Sequence, residues 1–333
     1  MKALLSKVAG GPETLVVEDI PSPTPGPGEV LVQVKACGVN FPDVLIIEDR
    51  YQMKPPRPFS PGAEISGVVK AVGEGVTALR PGDRVLGNAS WGGMAEEVVT
   101  EPHRLIRMPD AMPFDEAAGF ILTYGTSYYA LKWRARIRPG DTLLVLGAAG
   151  GVGLAAVELG KALGAQVVAA CSSQEKLDFC KTYGADEGLV YDRGPLDHDA
   201  RKDLSERFKA ACGPGGPEVI YDAVGGDYAE PALRSIAWGG RYLVIGFAAG
   251  DIPRIPLNLP LLKSCDIMGV FWGSWMDRDA KGYAQHVDEL LQLYADGRIR
   301  PRISARYPLD DAAAAIAHLG ERRALGKVVV TMD

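Results

Sequence analysis

The stretch LLVLGAAGGVGLAAVELGKALG, Leu143 to Gly164, constrains the fold more than any other segment. An apolar run suited to a buried strand passes directly into Gly147-Ala148-Ala149-Gly150-Gly151-Val152-Gly153 and then into apolar residues at helical spacing. Small residues there let the backbone approach a pyrophosphate. The helix start at Gly150, Gly151, Val152 and Gly153 supplies unpaired N–H groups and positive dipole to receive it. Ala148 takes the first glycine position of G-x-G-x-x-G, so alone the segment also fits a strand-helix turn packed closely for steric reasons. The pattern around it favours a dinucleotide.

From about Tyr124 strand and helix alternate: LLVLG, GLAAVELGKALG, AQVVAACS, SQEKLDFCKTYG, EGLVY, then EVIYDAV, GRYLVIGF and CDIMGVF. This rhythm predicts βαβ units in a doubly wound parallel sheet. An NAD-binding version carries an acid at the end of the second strand, to bond the ribose hydroxyls. Here Ala170 to Ser173 holds no acid, while Ser172 offers a hydroxyl and Lys176 a charge for a 2′-phosphate. NADPH is therefore expected over NADH. The alternative for these two residues is local, with Ser172 as a helix N-cap and Lys176 as a solvated helix residue.

Before Tyr124 the chain reads as all-β. ETLVVEDI, EVLVQVKACGV, EISGVVKAVG and MAEEVVTEPHRLI are separated by proline- and glycine-rich turns. After Trp272 come two helical stretches and two strand-like ones, ending in GKVVVTM, too little for a third domain. The expected division is a β-rich domain over 1–123, a dinucleotide domain over 124–272, and a return to the first domain over 273–333.

Charge and cysteine content exclude other classes. Thirty-six basic against 42 acidic residues leave a net charge of −6, so no basic face is expected for nucleic acid. Thr142 to Val157, the longest run without a charge, is shorter than the roughly 20 residues that span a bilayer. No signal peptide is legible at MKALLSKVAGGPE. Five irregularly spaced cysteines suggest neither a disulfide framework nor a metal knuckle, and a cytoplasmic location is expected.

Over essentially its whole length the chain resembles the medium-chain dehydrogenase/reductase superfamily, in its zinc-independent NADPH:quinone oxidoreductase (zeta-crystallin-like) branch. The resemblance rests on VLVQVKACGVNFPDV, PGAEISGVVKAVGEGV, PGDRV, LTYGTSYYAL, PGDTLLVLGAAGGVG, GAD, YDAVGG and GKVVV. It implies an α/β fold: a GroES-like barrel, a Rossmann domain inserted in it, NADPH in the cleft where they meet, and a homodimer. It places Asn40 and Thr123 near the nicotinamide, Tyr191 near the 2′-phosphate, and Phe247, Phe271 and Lys327 along the cofactor channel. Tyr51 matches a tyrosine whose phenol bonds a substrate oxygen, or else is an aromatic packed beside the KPPRP loop. A second tyrosine usual in that loop is replaced by Leu45.

The zinc-ligand positions of metal-dependent relatives fall at Asn40, Ala63 and near Leu122, so no metal is expected. Hydride must then reach an acceptor that is already electron-poor, a quinone or an α,β-unsaturated carbonyl, with Asn40 and Tyr51 as the candidate catalytic pair. Two alternatives stay open: an enoyl-thioester reductase, and an NADPH-binding crystallin-like protein without turnover.

Overall fold

Short apolar strands between proline and glycine breaks organise the first unit, because β-branched residues alternating with polar ones suit a sheet with one covered face. The structure, a computed structural model, describes residues 1–332. Its first unit takes Met1–Leu122 and the chain from Pro301 onward. Strands β1 (Lys2–Ser6) and β2 (Leu15–Asp19) pair as an antiparallel ribbon. The main sheet comprises β3 (Val30–Val39), β4 (Glu64–Val72), β5 (Arg84–Asn88), β6 (Glu97–Thr100) and β7 (Leu105–Arg107). The ten-residue β3 pairs along its length with β4, and its register shifts between Leu31 and Val32 and between Val34 and Ala36. Such irregularities bend a strand, and β3 serves two further neighbours in turn, β6 through Val30–Gln33 and a C-terminal strand through Ala36–Val39. Val30, Val32, Val34, Ile65, Val69 and Val85 fill the core so enclosed.

The second unit, Thr123–Arg300, holds six parallel strands. They are β8 (Thr142–Leu146), β9 (Gln166–Cys171), β10 (Glu187–Val190), β11 (Val219–Asp222), β12 (Arg241–Val244) and β13 (Asp266–Gly269), in the order β10-β9-β8-β11-β12-β13. The chain winds outward from β8 in one direction, then resumes beside β8 and winds the other way. Ligands bind such sheets beyond the carboxyl ends of the strands, at this reversal. Strands β14 (Ile303–Pro308) and β15 (Lys327–Thr331) complete the first sheet, and β15 pairs with the second half of β3.

The return to the first unit comes at Pro301, not at 273. Helices Trp272–Arg278 and Ala280–Ala295 stay with the second unit because their aromatic faces pack there. Trp272 lies 2.9 Å from where a Cβ on Gly125 would sit, and Trp275 stacks on Tyr129 with ring centroids 4.5 Å apart. Glu289 accepts bonds from Lys132 Nζ (2.6 Å) and the Tyr128 hydroxyl (3.0 Å). No helix among the described residues is long and apolar enough to cross a membrane.

Candidate active site

In the second unit the glycine-rich loop is shaped by hydrogen bonds to the neighbouring strand. β8 ends at Leu146, and Gly147 turns the chain with φ +69°, a region that favours glycine. The Gly147 and Ala148 N–H groups donate to the Ala170 carbonyl on β9, at 3.1 and 3.3 Å. Gly150 caps the helix Gly151–Ala162 in an extended conformation, and a Cβ at Gly153 would stand 2.2 Å from the Gly147 carbonyl oxygen. Gly153 is thus required for the helix to seat on the turn. The first helical turn, with Gly151, Val152 and Gly153, carries no acid and keeps the positive end of the dipole.

The end of β9 gathers the groups expected to read a 2′-phosphate, and adds one. Ser173, not Ser172, caps the following helix Gln174–Thr182, its hydroxyl accepting from Lys176 N–H at 3.3 Å. The Ser172 hydroxyl instead accepts from Arg193 Nη2 at 3.1 Å. Lys176 is held below the usual ammonium pKa, first by burial and then by the Arg193 charge. Two cations and a hydroxyl therefore converge. Arg193 follows β10, 21 residues from Ser172, a separation at which sequence carries no signal of proximity.

Tyr191 also lies at the end of β10, but its ring is buried against Tyr228, with centroids 4.8 Å apart. Its N–H donates to the Cys171 carbonyl at 2.8 Å, so its visible role is to tie β10 to β9. Thr123 is buried in the helix Ile121–Tyr128. Phe247 and Phe271 sit on the loops after β12 and β13, on the carboxyl side of the sheet, Phe271 with 63% of its surface exposed. Asp222, which the sequence reading passed over, ends β11. One of its oxygens accepts from the Val224 and Gly225 N–H groups (2.8 and 2.9 Å) and the other from the Tyr242 hydroxyl, fixing the turn beneath Phe247.

The first unit holds a buried polar network around Asn40. Lys327 Nζ donates to Asn40 Oδ1 at 2.5 Å and pairs with Glu64 Oε2 at 2.7 Å. Asn40 Nδ2 donates to the same Glu64 oxygen at 3.0 Å, and the other Glu64 oxygen accepts from the Leu122 N–H at 2.8 Å. An ammonium only donates and a carboxylate only accepts, so the two neighbours permit one orientation of the Asn40 amide. Lys327 and Glu64 are 4% and 0% exposed, a burial that charges tolerate only when paired and bonded as here.

Asp43 supports this network from behind. Its two oxygens accept from the Asn40 N–H (2.8 Å) and the Gly62 N–H (3.0 Å), joining the start of the helix Phe41–Ile47 to the residues that lead into β4. Burial pushes its carboxyl up to about 6, against the pull of the two N–H bonds and Lys327. Tyr51, half-buried against the core, has its phenol raised by burial and by the Asp43 charge. Cys37 is a fully buried core residue.

Zinc does not fit this donor set. Ala63 and Leu122 have no ligating side-chain atom, the Asn40 amide oxygen is occupied by an ammonium, and Glu64 already serves three donors. Among the described residues no three His, Cys, Asp or Glu side chains converge as a metal site would need.

Two family models match the chain, an alcohol dehydrogenase GroES-like domain over residues 26–110 and a zinc-binding dehydrogenase over 151–290. A quinone oxidoreductase-like protein 2 homolog of Nematostella vectensis is 40% identical over 333 residues, covering 99% of this chain and 88% of the relative. Among solved structures, a mycobacterial protein complexed with NADPH superposes with a TM-score of 0.92 at 32% identity, covering 99% of this chain and 100% of that one. The Escherichia coli quinone oxidoreductase complexed with NADPH gives 0.90 at 28% identity, with 99% and 100% covered. The doubly wound sheet, the GroES-like unit and these relatives agree: the chain belongs to the quinone oxidoreductase family of the medium-chain dehydrogenase/reductase superfamily.

Proposed function

We propose that the protein is an NADPH-dependent reductase that passes hydride to a quinone or an α,β-unsaturated carbonyl without zinc. The observation that carries this reading is the Ser172, Lys176 and Arg193 cluster beside the glycine-rich loop, which suits a nucleotide bearing a 2′-phosphate. The Gly150 to Gly153 backbone would receive the pyrophosphate, and Thr123, Phe247 and Phe271 would face the remainder of the cofactor. When bound, NADPH supplies the hydride.

The chain's own part is orientation and hydrogen bonding. Asn40, its amide N–H groups given to Glu64 and the Gly38 carbonyl and its oxygen accepting from Lys327, is locked in one rotamer and offers the second lone pair of that oxygen. Tyr51, whose raised pKa keeps its phenol protonated at neutral pH, donates to the acceptor oxygen as charge builds there. With Ala63 and Leu122 at the ligand positions, no zinc alkoxide is formed, and the acceptor must be reactive in itself. The cysteines, all free, suit a reducing cytoplasm, and the open edge at β13 suits a homodimer.

The test follows NADPH oxidation with 1,4-benzoquinone, 9,10-phenanthrenequinone, 2-alkenals and crotonyl-CoA. Turnover of the quinones or alkenals is the expected result. Turnover of crotonyl-CoA alone would make the protein an enoyl-thioester reductase, and NADPH binding with no turnover at all would make it a binding protein.

A further inference from the structure

Two buried thiols take no part in the chemistry above. Cys171 is the last residue of β9, and Cys180 follows nine residues later in the helix Gln174–Thr182. Their sulfurs stand 3.7 Å apart, and both residues are shielded from solvent. On its other side the Cys171 sulfur faces the Ala149 N–H of the glycine-rich loop, next to the bonds that Gly147 and Ala148 make to Ala170. The segment between the two sulfurs carries Ser172, Ser173 and Lys176. One thiol pair thus touches both halves of the nucleotide site.

The two thiols are not equivalent. Either thiol can donate in the pair. The contact with Cys180, the Ala149 N–H and the Lys176 charge hold the Cys171 pKa below the ordinary value against the burial that opposes them, while Cys180, buried beside it, is pushed well up. An acidic thiol in contact with a second one matches the order of steps in peroxide oxidation, where the first is oxidised and the second resolves it.

We propose that Cys171 and Cys180 form a redox modification site, which a small hydroperoxide closes to a disulfide and whose closure weakens NADPH binding. This rests on the cofactor reading above. In the first step the Cys171 thiolate attacks one peroxide oxygen, the O–O bond breaks, and Cys171 becomes a sulfenic acid as hydroxide leaves. In the second the Cys180 sulfur attacks the Cys171 sulfur, the S–O bond breaks, and the Cys180 proton and the hydroxyl depart as water. Two thiols and one hydrogen peroxide give one disulfide and two waters. Burial keeps bulky oxidants away and selects a small one.

A covalent S–S bond is about 2.05 Å long, so closure draws together sulfurs now 3.7 Å apart. The Cys171 sulfur shifts from its place facing the Ala149 N–H, and the helix start that holds Lys176 moves with Cys180. Bound NADPH, by linkage, disfavours the disulfide as much as the disulfide disfavours NADPH, and by holding the helix start it opposes the movement that closure needs.

The experiment treats the full-length protein with hydrogen peroxide, digests it without reduction and looks by mass spectrometry for the Cys171 and Cys180 peptides joined. In parallel, NADPH affinity is titrated by fluorescence before oxidation, after it, and after dithiothreitol. The joined peptides should form, more slowly with NADPH present. The NADPH Kd should rise by about tenfold, the scale of one or two lost hydrogen bonds, and recover on reduction. Cys180→Ser, or Cys180→Ala if serine is not tolerated, should form no joined peptide and show no reversible loss. No joined peptide at a peroxide dose that oxidises Cys212, or joined peptides with unchanged Kd, would overturn the proposal. A reduced protein that binds no NADPH is the separate failure of the cofactor reading; it removes the coupling, while the joined peptides still report on the thiols.

Discussion

Lys176 and Arg193 are like charges held at the end of one sheet, and an anion between them relieves their repulsion. Replacing either by Ala should weaken NADPH binding by about 1–2 kcal/mol, the scale of a charge-assisted hydrogen bond, and leave NADH nearly unaffected. Fluorescence titration of both cofactors decides it, and equal Kd values in the unsubstituted protein would sink the argument. Tyr51 allows a sharper contrast. If its phenol bonds the acceptor oxygen more strongly in the transition state, Tyr51→Phe should lower kcat about tenfold for an enone and less for a more reactive quinone. Equal losses at saturating NADPH would reduce Tyr51 to packing. Asp43 carries a pH signature. Its folded pKa of about 6 lies above the unfolded value of about 3.9. Its contribution is therefore fully present below about pH 4 and is lost as pH rises through 6. Relative to Asp43→Asn, which does not titrate, the unsubstituted protein should lose roughly 2 kcal/mol of unfolding free energy between pH 4 and 7. Urea unfolding of both proteins at the two pH values measures that difference, and parallel curves would show that Asp43 is not perturbed.

Among elements, the strand-turn-helix from Thr142 to Ala162 is the part whose sequence speaks most directly, because its constraints are local. Its glycines separate into two kinds. A Cβ at Gly153 would meet the Gly147 carbonyl at 2.2 Å, whereas one at Gly150 would lie at an ordinary 3.5 Å. Gly153→Ala should therefore destabilise by roughly 1–3 kcal/mol, as overpacking does, and Gly150→Ala by under about 1 kcal/mol, the scale of a helix cap. Thermal unfolding ranks the two, and a more stable Gly153→Ala would refute the close seating of this helix. Contacts over long sequence separations were not legible in the same way. The sequence near Lys327 holds nothing that signals a partner 263 residues away in Glu64. Nothing in the loop after β10 ties Arg193 to Ser172 by pattern. Trp275, expected with the first unit, stacks on Tyr129 of the second, since an aromatic helix face does not say which neighbour it covers.

At the scale of the molecule, the six-stranded sheet ends in an edge that the chain leaves open. Among the described residues β13 pairs with β12 on one side only. Parallel sheets are normally covered, yet Ile267 on this strand is 41% exposed, and Leu261 and Leu262 in the preceding helix are 77% and 65% exposed. A bare strand edge flanked by apolar side chains invites pairing with another chain. A second copy can satisfy it symmetrically, because two β13 strands run antiparallel across a twofold axis offer each other the same backbone groups and the same leucines. The expected state is a homodimer of twice the chain mass by light scattering. Ile267→Lys tests the surface: the twofold axis brings the two new ammonium groups toward one another on an edge from which water is excluded, and lysine at an edge strand discourages pairing. The variant should elute as a monomer at micromolar concentration, with its far-ultraviolet circular dichroism and NADPH affinity retained if the nucleotide site is complete within one chain. A monomeric unsubstituted protein, or a variant that remains dimeric, would show that this edge is not where the chains meet.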